Sequence, residues 1–378
     1  MDFGPITESL TCGRVLSLKT FSGKEHKAFV PKVETFGKGS VDLFFETFCE
    51  EIRKSCKRKK KIGLALSGGK DSRTLLCALL RLDIKPECVT WSYSELDPEV
   101  KIAKKICNRF GLKHKYIKIK PEMYFNKKNE KTLIKLADGS PLYFDMMLWY
   151  AIRKQLNHNI LFCGNLMTEY MDTAEYRTYE GVDISKALMD KETLIPFTEN
   201  FEVLIKKLTD FYYDEPIEQV ITYRMLDRIV QLHIMKNFIN WDYPVLNERV
   251  LSELFSLPLS KRKGSKLTRE ILKKYNPALY KLPTGRSPLS LRYPLIFHQA
   301  YQRLSKRKIS KGLEHLLPSY MDKNETVLRK LSLYEFVNEE RLNNFLDKAK
   351  GRTYRIGMSR LLNLYNWSIY NGKDLDSL

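Results

Sequence analysis

The stretch Lys61-Ile-Gly-Leu-Ala-Leu-Ser67-Gly68-Gly69-Lys70-Asp71-Ser72-Arg73 decides how this chain is read. Residues 62–66 form a short, uninterrupted apolar run, the pattern of a strand buried on both faces. Two glycines follow at once, and residues 74–82 form a second apolar run of helical length and composition. Strand, glycine turn and helix together aim free backbone N–H groups at an anion. Gly68 and Gly69 carry no Cβ, so the main chain can approach a phosphate closely. Ser67 and Ser72 add hydroxyls, and Lys70 adds a cation. Asp71 is the odd member, because a carboxylate repels phosphates unless Mg2+ lies between them. The combination predicts a nucleotide with a metal rather than a bare anion. Gly-Gly with one serine would also fit an ordinary tight βα turn; the whole string after a buried strand is far more specific.

Ser67-Gly-Gly-Lys-Asp-Ser72 resembles the signature of the PP-loop ATP pyrophosphatases, the adenine nucleotide α-hydrolase-like superfamily. The resemblance implies cleavage of ATP between the α and β phosphates, adenylylation of a substrate oxygen, and displacement of AMP by a nucleophile. The Gly-Lys-Ser/Thr ending of the Walker loop is absent.

Composition sets outer bounds. The 378 residues are enough for two domains, and 43 % hydrophobic content allows a sizeable core. No long apolar run predicts a membrane span, and the first residues lack the basic-then-apolar pattern of a secretory signal. The seven cysteines (12, 49, 56, 77, 88, 107 and 163) form no C-x-x-C pair, which suits buried free thiols in a reducing cytoplasm. The net charge of +20 fits a polyanionic partner such as tRNA. It equally fits a lysine-rich proteome or a site handling ATP and pyrophosphate. The basic run at 57–61 is read as a solvated helix end favoured by the macrodipole.

Residues 1–38 suggest a small hairpin or extended arm, and Gly37-Lys-Gly39-Ser a linker. Apolar spacing predicts a helix over 41–55. After the first βα unit come a strand at 88–93, a helix at 97–111, a strand at 115–119, a helix at 142–156 and a strand at 159–164. This alternation predicts an α/β fold with a doubly wound parallel sheet. Its ligand crevice lies outside the carboxyl ends of the strands, so the tips at 67–72, 92–94 and 164–169 should converge. Beyond about residue 200 strand signals fade. Helices are predicted at 201–211, 217–238, 247–256, 265–275, 296–306 and 360–370, giving a mostly helical C-terminal half. The expected division is thus an arm (1–38), an ATP-binding α/β domain (39–200) and a helical region (201–378).

A second resemblance narrows the family. The fourth strand tip reads Leu161-Phe-Cys-Gly164-Asn-Leu-Met-Thr168-Glu169-Tyr170. Later come Tyr243-Pro-Val-Leu-Asn247, then Lys266-Leu-Thr-Arg269 and Asn276-Pro-Ala-Leu-Tyr. In this order they resemble the synthetase domain of the asparagine synthase family, over roughly 41–288. The resemblance implies ATP-dependent adenylylation of a carboxylate, with release of AMP and pyrophosphate and attack by ammonia or an amine. By the same resemblance Leu66, Ser67, Gly68, Gly69, Lys70, Asp71 and Ser72 would hold the phosphates. Ser92 would lie near the adenosine and Gly164 near the α-phosphate. Lys266, or Arg269, would reach the phosphates.

Three departures qualify the match. The family's metal-binding Asp aligns with Thr168, which leaves Mg2+ to Asp71 with Glu169 or Asp172, or to Asp71 alone with the phosphates. The family's catalytic lysine segment is replaced by Lys281-Leu-Pro-Thr-Gly-Arg286, so Arg286 and Lys281 are candidates in its place. Met1 is followed by Asp2, with no nucleophilic cysteine and no glutaminase domain before the loop. Ammonia would then come from solution or a separate glutaminase subunit, or the nucleophile is an amine on the substrate. Two other readings stand beside the ligase: a PP-loop enzyme that modifies tRNA, and a degenerate nucleotide-binding protein without turnover.

Overall fold

The computed structural model describes residues 39–172 except 124–125 and 138–143, residues 226–293 except 286, residues 337–348, and the isolated positions 203, 206, 297, 298, 361 and 364. Helix α1 (Val41–Cys56) starts at Ser40, whose hydroxyl accepts the Leu43 N–H at 3.1 Å. Strand β1 (Ile62–Ala65) leads through the glycine turn into α2 (Lys70–Arg81). The apolar pattern placed this helix start four residues late. Lys70, Asp71 and Ser72 are polar because they face the site, so hydrophobic periodicity does not register them. Next come β2 (Glu87–Ser92) and α3 (Pro98–Phe110). Asp97 caps α3 and Gly111 closes it at φ 61°, both at the ends expected from sequence. β3 (His114–Lys118), α4 (Lys127–Ala137), α5 (Phe144–Ile152) and β4 (Ile160–Phe162) follow.

The five strands run in the order β3-β2-β1-β4-β5, and every pair is parallel. This is a doubly wound α/β sheet flanked by helices. The fifth strand, β5 (Trp241–Asp242), lies beyond the point where strand signals fade. It was not anticipated, because two residues carry no periodicity; it is a strand only by pairing Trp241 with Leu161 and Asp242 with Phe162. Around it come α6 (Leu226–Met235), α7 (Glu248–Ser256), α8 (Leu259–Arg262), α9 (Lys266–Tyr275) and α10 (Pro277–Tyr280). A small antiparallel hairpin, β6 (Pro283–Thr284) and β7 (Ser287–Ser290), precedes α11 (Glu339–Lys348). The arm at 1–38, the boundary near 200 and most of the helices predicted at 201–211, 296–306 and 360–370 lie outside the described residues.

The later helices build directly onto the sheet. Phe44, Phe45 and Phe48 of α1 are fully buried, and Phe45 meets Tyr275 of α9 at 4.5 Å between centroids. Leu267, Ile271 and Leu272 bury the inner face of α9. Trp241 packs edge-on against Trp149 at 5.8 Å and Trp91 at 6.3 Å. The described cysteines are free, and burial pushes the Cys49 and Cys77 thiols up to about 12, so they stay protonated and unreactive. Among the described residues no helix is long and apolar enough to cross a membrane.

Candidate functional site

Strand order reverses between β1 and β4, and in an open parallel sheet that is where a crevice opens at the carboxyl ends. A cavity of about 340 Å³ lies there. The loop after β1 supplies Leu66, Ser67, Asp71 and Ser72, and the loop after β4 supplies Gly164 and Asn165. β2 adds Val89, Thr90 and Trp91, and the start of α3 adds Asp97 and Glu99. The two loops touch. A Cβ on Gly164 would stand 3.2 Å from Asp71 Cβ and 3.3 Å from the Ser72 nitrogen. Leu166, two residues on, takes φ 68° with its side chain buried, so the second loop is held in a conformation its side chain disfavours.

Within the first loop the Ser67 N–H donates to Ser72 Oγ at 3.2 Å, and the Gly69 N–H donates to Ser67 Oγ at 3.1 Å. The Gly68 N–H donates to Glu99 Oε2 at 3.2 Å. The loop was expected to present open amides, and instead the protein's own groups engage them. The cause is the same field that would draw a phosphate: a run of N–H groups at a helix start attracts the nearest carboxylate. Glu99 comes from the first turn of α3, which the β2–α3 crossover brings over the loop. Its carboxylate is an oxygen anion on a glycine-loop amide, and any phosphate bound there would have to displace it. Glu99→Gln should therefore tighten ATP binding about tenfold, measured by calorimetry, because a neutral amide yields to the phosphate without charge repulsion. Weaker binding by this variant would show that Glu99 helps rather than competes.

Ser92 stands at the end of β2. Its hydroxyl donates to Asp97 Oδ2 at 2.6 Å and its carbonyl accepts the Tyr116 hydroxyl at 2.8 Å. The side chain is thus committed to Asp97, and it is Asp97 that lines the cavity.

Asp71 has partners on both oxygens. Lys70 Nζ lies 3.0 Å from Oδ1, and the Thr168 hydroxyl donates to Oδ2. The same ammonium reaches Thr168 Oγ1 at 3.4 Å. A divalent ion at Asp71 would share its ligand with an ammonium and face a neutral hydroxyl where a second carboxylate would help. Glu169 lies half-buried in the wide helical turn Thr168–Asp172 and does not line the cavity. Among the described residues no three His, Cys, Asp or Glu side chains gather as a metal site. The residues present do not fit a Mg2+ held between Asp71 and Glu169.

The other expected residues are scattered. Lys266 is exposed at the first position of α9, Arg269 is half-buried one turn on, and Lys281 is exposed. None of the three lines the cavity. Arg286 and the side chain of Asp172 lie outside the described residues. Gly285, which precedes Arg286, donates its N–H to the Gly68 carbonyl at 3.1 Å, so the β6–β7 hairpin rests on the phosphate loop. Among the residues that the sequence did not single out are Asp97 and Glu99, which line the cavity, and Arg73, which backs the first loop. Asp97 and Glu99 read as an ordinary helix start, and only the crossover shows that this start overhangs the loop.

Residues 45–164 match the family model described as asparagine synthase. The match runs from α1 to the loop tip at Gly164, so the motifs read at 243–280 lie beyond it. No curated protein matches the chain.

Proposed function

From the premise that an asparagine synthase-like synthetase domain runs through residues 45–164, we propose that this chain is an AMP-forming amide ligase acting on a carboxylate and ammonia or an amine. The observation that carries the reading is the contact of the two loops, with Gly164 seated against Asp71 and Ser72 and all three lining the cavity. One loop suits the leaving phosphates and the other suits the reacting centre.

In this reading the Gly68–Gly69 backbone and the hydroxyls of Ser67 and Ser72 hold the β and γ phosphates. Val89 and Trp91 form the wall available to the base. A carboxylate oxygen of the substrate, held near Gly164 and Asn165, attacks the α-phosphorus. The bond from that phosphorus to the bridging oxygen breaks, and pyrophosphate leaves. The amine nitrogen then attacks the acyl carbon, the carbon–oxygen bond to AMP breaks, and the nitrogen gives up a proton. Binding the acyl adenylate in a closed crevice protects it from water. Oriented N–H donors stabilise the charge that builds on the departing pyrophosphate. Arg286, next in sequence to Gly285, is the favoured cation for that group, with Lys266 behind it.

Incubation of the chain with ATP, labelled pyrophosphate and pools of carboxylic acids tests this. Label should enter ATP only when a suitable acid is present, and AMP should accumulate once an amine is added. Release of ADP, or exchange supported by RNA with no acid, would rule the ligase out. One observation favours the alternative of nucleotide binding without turnover: Lys70 and Thr168 engage both oxygens of Asp71. Under that alternative ATP binds and no AMP appears with any acid.

A further inference from the structure

Arg73 follows the phosphate loop directly, and it is fully buried (0 % exposed). Its guanidinium meets four backbone carbonyls: Gly68 at 3.0 Å, Leu282 at 2.9 Å, Leu279 at 3.3 Å, and Pro283. Burial pushes its pKa down to about 10, with Glu99 acting in the opposite direction, so it stays charged at neutral pH. Taking a cation out of water is costly unless carbonyls of this kind replace the lost hydration. Such a residue is a poor choice for filling space, since an apolar side chain would do that without the penalty.

The Gly68 carbonyl accepts from Arg73 Nη2 and from the Gly285 N–H. Among the described residues every peptide bond is trans. In a trans peptide the C=O and the following N–H point in opposite directions. Pinning the Gly68 carbonyl toward Arg73 therefore turns the Gly69 N–H the other way, toward Ser67 Oγ, which borders the cavity. Two consecutive glycines leave this peptide free to rotate. Turned over, it would present a carbonyl oxygen to a phosphate.

We propose that Arg73 is a positioning residue: it locks the Gly68–Gly69 peptide with its N–H toward the anion, and ties the phosphate loop to the segment at 279–283. The inference rests on the nucleotide-binding part of the reading above. It is independent of what chemistry follows.

The test compares ATP with adenosine, both titrated calorimetrically into the full chain and into Arg73→Lys and Arg73→Met. A locked loop serves only the phosphates. The lysine variant should lose about tenfold in ATP affinity and less than about twofold for adenosine, and the methionine variant about 100-fold for ATP. Lysine keeps the cation but not the planar fork, so it carries the test whether or not the methionine variant folds. Equal loss of ATP and adenosine would mark a merely structural role, and unchanged ATP affinity would remove any role at the loop; either overturns the proposal. A wild-type chain that binds ATP but never releases AMP would overturn the ligase and leave this inference standing. One that binds no ATP would overturn both.

Discussion

Gly68→Ala lowers ATP affinity at least about 100-fold, a loss of about 2.8 kcal/mol in binding free energy. The added Cβ would lie 2.7 Å from both the nitrogen and the Cα of Gly285. Those are backbone atoms, so no side-chain rotation relieves the contact. Gly285 is also tied to the Gly68 carbonyl, and Arg73 clamps the carbonyls of Leu282 and Pro283 below it. Either the hairpin lifts from the loop or the loop moves into the cavity. Overpacking of this kind costs about 1–3 kcal/mol of stability. Thermal unfolding should show that modest loss, and calorimetry with ATP should show the large one. A variant that binds ATP within about threefold of wild type would mean the hairpin can yield freely.

Gly164→Val lowers pyrophosphate exchange about 100-fold while ATP affinity falls much less. Even the Cβ of a substituent at 164 would press on Asp71 Cβ and the Ser72 nitrogen at 3.2 and 3.3 Å, and the two methyls of valine add to that. The first loop is anchored through Arg73 and the start of α2, so the second loop is the one to shift. Residue 164 and its neighbour Asn165 border the part of the cavity assigned to the reacting carboxylate, hence a loss in exchange rather than in nucleotide binding. Equal losses in exchange and in ATP affinity would contradict this division of roles between the loops.

The parallel sheet, the glycine loop on its first strand and the arrival of the Gly164 tip beside it were legible in residues 61–73 and 159–164. Those signals are local. A buried strand needs an apolar run, and a βα turn that approaches an anion needs glycines; both leave their mark within a dozen residues. The asparagine synthase match over 45–164 covers the same interval. Tertiary structure alone decided the rest. Trp241 and Asp242 became a fifth strand because β4 offered an open edge. Glu99 became a partner of the glycine loop because a crossover laid the α3 start over Gly68. Thr168 and Lys70 closed on Asp71, where the sequence had suggested a metal. Arg73 was given no role from the sequence, because the carbonyls that surround it belong to residues more than 200 positions away. In each case the deciding partner is distant in sequence, and a charge or a short segment carries no local sign of the partner that folding will bring to it.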